Sequence, residues 1–427
     1  MSKSLGKVNV QVDNLIYRDG KISKKSKQSL CNFINNNCSF TKVEEECVDK
    51  ILKDIKAKCK IEENKFGCYD DKFLLEIDEL LDKLAEYIDM KKYKLSFYEL
   101  QINFYKINRK LYIYDSNILE NYSLNRYEIY FIFAMPNKKL ENVMLHEFLD
   151  GFTSNIYNDF SKFKCCIDKL YKNLISKVNH INVKDGKYTC IVDSSFSGLI
   201  AHESIGHFSE YDVYKYFNPN TCIKDKIGSD LVNIIDYAFS NESRDILPCP
   251  LKYDDEGNQT KDVSIITNGR FANFLTDEKN SSGIGESTGN SRIGFTKNIK
   301  MIRMKNTGFV KGDKKIEDMI HSVKNGYYLI TPSSGLSIPK KGFEIKVALG
   351  FEIKDGKIGR AIQDLYAFGE FDNFFKSINM VSDNIRWTGA ICNKKNEKIF
   401  LGMGGPALKC ELTLSNKSRF LKGSENR

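Results

Sequence analysis

Two dipeptides constrain the second half of this chain more than any other feature of it. Asn268–Gly269 separates the apolar runs 263–267 and 271–275, and Asp355–Gly356 separates 343–353 from 358–365. Two-residue Asn-Gly and Asp-Gly loops take a left-handed backbone at both central positions. That hand matches the twist of an antiparallel strand pair, so each dipeptide predicts a hairpin. A third pair is expected from 399–403 and 408–414, folding back around Gly404, Gly405 and Pro406. One helix interrupts the strands, with Ile316, Met319, Ile320 and Val323 as its apolar stripe. Gly326 is placed to stop it, and His321 suits the negative end of its dipole. Residues 186–427 therefore read as a mostly antiparallel sheet or barrel.

The first half reads differently. Residues 7–18 alternate like a strand before an Asp19–Gly20 turn, and 24–36 suggest a short helix. Thr41 and Glu44 have capping-box spacing ahead of Cys47, Val48, Ile51, Leu52 and Ile55, which repeat at helical intervals. Phe73, Leu74, Ile77, Leu80, Leu81, Leu84, Tyr87 and Ile88 make a clearer helical stripe. Strands are expected between 94 and 136, then helix from 139 to 180 with a break near Gly151. His146–Glu147 has no second histidine at metal spacing and reads as a structural or surface pair. The fold class expected for the whole is α+β. A mixed α/β layer domain over 1–185 precedes a mostly antiparallel β-sheet or barrel-like domain over 186–427.

Residues 202–207, HESIGH, hold two of the chain's five histidines around one glutamate. They follow a strand-like run (189–192), a polar turn (193–195) and apolar helix formers, Phe196, Leu199, Ile200 and Ala201. The histidines thus fall on a helix, but at i and i+5 instead of the i, i+4 spacing of the familiar zinc-protease pattern. In a regular α-helix that offset leaves them about 140° apart. A local i→i+5 bulge would bring them together, and such bulges favour functional sites. Gly206 is the residue type that permits a deformed backbone. Paired histidines on a helix are also ordinary surface groups, and spacing alone leaves both readings open.

Composition narrows the function classes. With 41% hydrophobic and 28% charged residues, the 427-residue chain is globular and long enough for two or three domains. Its net charge of +9 comes from 65 basic and 56 acidic residues that are largely interleaved. No Arg-rich arm or nucleic-acid motif accompanies that charge, so no nucleic-acid partner is expected. The first residues lack a signal-peptide core and no apolar run is long enough to span a bilayer, so no membrane association is expected. Twelve scattered cysteines without a repeating spacing suggest reduced thiols and a cytoplasmic location.

HESIGH followed by Glu210 and Asp212 resembles the HExxxH…E.D signature of the TldD/PmbA metalloprotease family. Asp254 to Gly257 (DDEG), Thr288 to Arg292 (TGNSR) and Arg303 to Thr307 (RMKNT) fall in the order that family shows. So does Cys392 in its Gly-Ala-Ile-Cys context, ahead of the glycine-rich LGMGGPALK. The resemblance covers roughly 186–415 and is weak before it. It implies a zinc peptidase with His202, His207 and Cys392 as metal ligands. Three protein ligands with one open position suit catalytic zinc. Glu203 would act as general base toward the attacking water. Glu210 and Asp212 would orient a ligand histidine, with ordinary solvated acids as the plain reading. Arg292 and Arg303 are candidates for substrate or partner contact, and Arg303 equally for a structural ion pair. One departure stands out: Asn393 follows Cys392 where the family usually has glycine. Peptides or unfolded protein segments are the implied substrates. The implied assembly is a homodimer, or a heterodimer with a related subunit. A metal-free, catalytically silent partner subunit that binds peptide is the alternative, and the four retained site residues favour the enzyme.

Overall fold

The computed structural model describes residues 4–18, 21–35, 60–66, 71–113, 116–217, 222–239, 247–282, 284–295, 299–338 and 342–419. The strand expected at 7–18 is β1 (Ser4–Arg18), paired antiparallel with β2 (Lys21–Asn35). This corrects the short helix expected at 24–36. The segment has no sustained helical stripe, and pairing along the whole of β1 decides its state, as tertiary context commonly does. The expected Asp19–Gly20 turn and the helix from Thr41 to Ile55 lie outside the described residues.

Next come β3 (Lys60–Phe66), α1 (Asp71–Met90), β4 (Phe97–Ile113), β5 (Ile118–Pro136), β6 (Asn142–Phe152) and α2 (Phe160–Val178). The helix expected over 139–180 is thus half strand. Residues 142–152 pair in register along 126–136 of β5, and the helix begins only at Phe160. The six strands form one sheet in the order β2-β1-β4-β5-β3, with β6 also on β5. Pairing is antiparallel except for β3 on β5. The apolar stripe of α1 (Ile77, Leu81, Leu84, Ile88) and that of α2 (Phe163, Ile167, Leu170, Leu174) share a core with Leu100, Ile102, Phe104, Phe131 and Phe133. Strand side chains alternate between faces. Tyr105, Ile107 and Leu111 of β4 therefore point the other way, into a second core built mainly from residues after 185. The buried Arg109 guanidinium bridges the two halves, pairing with Glu120 and Asp255 and donating to the Tyr253 carbonyl at 2.8 Å.

The second half is strand-rich, as expected. It opens with β7 (Gly186–Val192) and continues through β8 (Ile234–Tyr237), β9 (Val263–Thr267), β10 (Arg270–Phe271), β11 (Ser291–Ile293), β12 (Lys300–Ile302) and β13 (Asn306–Phe309). It closes with β14 (Asn325–Ile338), β15 (Gly342–Lys354), β16 (Lys357–Ala361), β17 (Leu365–Glu370), β18 (Met380–Lys394) and β19 (Glu397–Ser415). Eleven of these form one sheet, while β11 and β12 pair separately. Within it β19, β17, β15, β14 and β7 close on themselves, because β7 pairs with both β14 and β19. Cys190, Leu329, Phe343, Ile345, Leu365, Ala367 and Leu412 of this ring are buried in one core. Both predicted hairpins form. Asn268 and Gly269 take φ of 47° and 70°, and Asp355 and Gly356 take 48° and 71°.

Two expectations fail here. The third pair does not exist: 397–415 is a single strand, and its hairpin partner is β18, joined through Lys395 and Asn396 with φ of 52° and 64°. The glycines of β19 serve close packing instead. A Cβ on Gly198 would lie 3.1 Å from the Gly404 nitrogen, and one on Gly405 would overlap the Ser197 hydroxyl. Gly326 is not a helix stop either. The helix (Ile316–His321) ends at Ser322, and Gly326 sits in β14 against the Thr189 carbonyl.

Candidate metal and peptidase site

The site begins where β7 leaves the closed ring. The Asp193 N–H donates to Leu329 at 2.8 Å, and the chain turns directly into α3 (Ser194–Ala201). Ser197 anchors the helix to β19 by donating to the Pro406 carbonyl at 2.6 Å. The helix then widens over His202–Gly206 into a π turn, as the i, i+5 spacing requires. Its effect is to stack the histidine rings edge to face with centroids 4.6 Å apart. Gly206 has an ordinary helical backbone, with φ −57° and ψ −60°. Space, not backbone freedom, demands glycine there: a Cβ would overlap Met304 Sδ and lie 3.0 Å from the Ala201 carbonyl oxygen.

β18 brings the third group. Cys392 Sγ lies 3.2 Å from His202 Nε2 and 3.5 Å from His207 Nε2. The three donor atoms fall within 4.8 Å of one another. Tetrahedral bonds of ~2.3 Å to sulfur and ~2.05 Å to nitrogen would span about 3.6 Å from sulfur to nitrogen, close to the distances found from Cys392 to each histidine, so the donor set suits one zinc ion. Cys392 and His207 shift each other's ionisation, and each imidazole must be neutral to take a metal. Burial would raise the Cys392 thiol, but His202 and His207 outweigh it and bring it down to about 4. For His207 burial works downward, and Glu210 with Cys392 raises it to about 10. Glu210 is pulled well below the carboxylate range against its burial, by Lys394, His207 and Arg303.

The residues around the triad divide sharply. Glu210 Oε2 takes His207 Nδ1 at 3.1 Å, the orienting role expected of it. Asp212 reaches no histidine; it accepts from Lys394 Nζ at 2.9 Å. His202 Nδ1 is buried without a hydrogen-bond partner. Arg303, only 1% exposed, donates at 3.1 Å to the carbonyls of Cys392 and Glu397 and so holds the hairpin that carries the thiol. Arg292 is buried too and donates to the Phe400 carbonyl at 3.2 Å. Neither arginine lines the cleft described below, which corrects the contact role considered for them. Arg303 takes the structural ion pair that was its other reading, with Glu210 at 3.8 Å. The DDEG, TGNSR and RMKNT motifs prove to be one buried scaffold. Asp236 binds Lys305 Nζ at 3.0 Å, Asn290 Nδ2 at 2.8 Å and Thr307 Oγ1 at 2.8 Å. Asp254 accepts the Ser291 N–H at 3.1 Å.

A cleft of about 740 Å³ opens over the triad, with His202, Glu203, His207 and Cys392 in its wall. Its sides include Leu199 of α3, Phe148 of β6, and Pro332 to Ser337 of β14. Three contributors went unseen in the sequence: Phe148, the β14 segment and Lys394. Only Lys394 carried a signal, since two residues along a strand from Cys392 is the same face.

The PmbA/TldA metallopeptidase C-terminal domain profile matches residues 185–414. A zinc metalloprotease TldD homolog of Saccharolobus solfataricus is 29% identical over 241 residues, which is 56% of this chain and 54% of that protein. A metalloprotease TldD homolog of Buchnera aphidicola is 31% identical over 232 residues, 53% of this chain and 47% of its own. The chain thus spans about half the length of these curated relatives. Among solved structures, TldE from Thermococcus kodakarensis superposes with a TM-score of 0.68 at 16% identity, covering 97% of both chains. One from Thermotoga maritima gives 0.72 at 14%, covering 97% of this chain and 96% of its own. These two likenesses concern the fold, and they include the first half, which lies outside the family profile's match. The chain belongs to the TldD/PmbA family of metallopeptidases.

Proposed function

We propose that this protein is a zinc-dependent peptidase that hydrolyses peptide bonds in peptides or unfolded segments. One observation carries the reading: two imidazoles and a thiol converge, at 3.2 and 3.5 Å, on the wall of a cleft that Glu203 also lines. Bound by His202, His207 and Cys392, zinc supplies Lewis-acid chemistry toward a carbonyl and acidifies water. Glu203 takes the proton from the attacking water and passes it to the departing amine. Glu210 fixes the His207 ring through Nδ1, so that Nε2 faces the metal position.

The cleft also favours an extended substrate. β7 pairs with β14 only over Tyr327–Leu329, whereas β15 pairs with it as far as Ile338. Among the described residues, 332–337 therefore have a partner strand on one side only, and they line the cleft. A peptide can add there as a further strand, held by backbone hydrogen bonds that ignore its sequence. A stably folded protein offers such a segment only at a sheet edge or an exposed loop. A dimer, by pairing with itself or a related subunit, and a cytoplasmic location belong to the same proposal. In support of the latter, the described cysteines are free thiols and no helix among the described residues is long and apolar enough to cross a membrane.

The test is metal content per chain in protein purified without added metal, beside His207→Ala, Cys392→Ala and Glu203→Gln. About one zinc is expected in the parent and in Glu203→Gln, none in the two ligand variants, and cleavage of an unfolded casein only by the parent. A parent that takes up no metal even when zinc is supplied would overturn the enzyme reading in favour of a silent partner subunit. Equal cleavage of a stably folded substrate and its unfolded form would overturn the extended-substrate reading.

A further inference from the structure

Lys394 has no part in the chemistry above, yet its surroundings are unusual for a lysine. It is 8% exposed, although it lies one residue before an exposed hairpin turn. Its ammonium makes three short contacts: Glu210 Oε2 at 3.0 Å, Asp212 Oδ1 at 2.9 Å and the Ile302 carbonyl at 3.0 Å. All three donor positions of the ammonium are thereby used. Lysines are seldom buried unless paired, and this one neutralises the carboxylate that also holds His207.

We infer that Lys394 is a positioning residue for the metal centre, acting through Glu210 on one ligand and through the hairpin on another. The hairpin carrying Cys392 packs against the helix, and Arg303 holds its backbone carbonyls. Lys394 lies on the same face of β18 as Cys392, two residues further along. Its ion pairs with Glu210 and Asp212, both just past the π turn, tie that face to the segment that carries His207. Its contact with Glu210 Oε2 fixes the carboxylate oxygen that receives His207 Nδ1, and so keeps Nε2 aimed at the thiol. One side chain therefore sets two of the three donors relative to each other. Asp212 gains a role by the same account: it shares the ammonium and holds it over Glu210.

This inference rests on the metal reading, and the experiment separates the two. Zinc affinity is measured by competition with a chromophoric chelator for the parent, Lys394→Met, Lys394→Arg and Asp212→Asn, with the melting temperature of each metal-free protein recorded alongside. Removing a partner that orients a ligand typically weakens metal binding 10- to 100-fold. We expect a loss in that range for Lys394→Met, a smaller loss for Asp212→Asn, and recovery toward the parent in Lys394→Arg, which keeps the charge. A residue that merely stabilised the fold would lower the stability of the metal-free and loaded forms equally and leave the affinity unchanged. Zinc binding by Lys394→Met within twofold of the parent would therefore overturn the inference. If Lys394→Met does not fold, Asp212→Asn decides alone, and unchanged affinity there overturns it as well. Absence of zinc from the parent would instead overturn the metal reading beneath it.

Discussion

Gly206→Ala is the perturbation that most directly tests why the helix widens at the metal site. If the backbone alone decided, alanine should do no harm, because φ and ψ are already helical. Alanine would then stabilise the helix by up to ~1 kcal/mol. The packing predicts the opposite sign. A Cβ overlaps Met304 Sδ, and Met304 is fully buried. To reach an ordinary contact of ~3.5 Å the sulfur must retreat by more than ~1 Å, and overfilling a packed core costs about 1–3 kcal/mol. Subtracting the helix gain leaves a net loss of about 1 kcal/mol. The reasoning also predicts a reversal. Met304→Ala alone costs about 2–5 kcal/mol through the cavity it leaves, but in that background the added methyl loses its overlap with the sulfur and keeps only the 3.0 Å approach to the Ala201 oxygen. Gly206→Ala should then be neutral or stabilising, for a coupling energy of about 1–3 kcal/mol. Urea unfolding followed by Trp387 measures it; this is the chain's single tryptophan, and its ring lies against Gly404 at the foot of α3. A coupling below ~0.5 kcal/mol, the limit for independent sites, would refute the steric account.

Two further outcomes follow from the same structure. Glu128, 5% exposed, is pushed up to about 7, mainly by burial with Asp150 adding to it, while hydrogen bonds from Tyr105 and Tyr130 oppose the shift. An acid raised on folding stabilises most below its unfolded value of 4.5 and loses that contribution as pH rises toward 7. Glu128→Gln should therefore gain on the parent across that window, by at most about 3 kcal/mol, with no further change above it; a pH-independent difference in unfolding free energy would contradict the assignment. Zinc removal should lower the melting temperature of the parent but not of His207→Ala, since a ligand at ~1,000 times its Kd adds about 4 kcal/mol to the folded state. Equal shifts in both proteins on adding a chelator would count against the three-donor site.

What the sequence made legible follows the range over which each signal acts. The hairpins at Asn268–Gly269 and Asp355–Gly356 were legible because a two-residue turn with positive φ is a local requirement. The π turn was legible for a similar reason: two histidines five apart can meet only if the helix widens between them. β2 and β6 were misread because each is held as a strand by pairing along the whole of the strand just before it, β1 and β5, and the segments' own residue patterns do not show that pairing. Gly404 and Gly405 were misread as a turn because glycine has more than one use. Here it admits a helix against a strand, at Gly198 and Ser197, and nothing local distinguishes that from a bend.

The site shows the same division between groups that do chemistry and groups that hold them. His202, Glu203 and His207 form a pattern whose chemistry is distinctive, and Cys392 could be named only through the family resemblance, before any geometry was known. The groups that place them could not. Arg303 was open to a surface role, yet it is buried and donates to the backbone of Cys392 itself. Asp236 attracted no notice and binds Lys305, Asn290 and Thr307 at once. A buried ion pair left with one partner costs about 3–5 kcal/mol, far more than the intact pair contributes. Substitution of Asp236, Lys305 or Arg303 one at a time is therefore penalised severely even though none of them lines the cleft. The stretches DDEG, TGNSR and RMKNT share one buried polar network, and the hairpin that presents Cys392 rests on it.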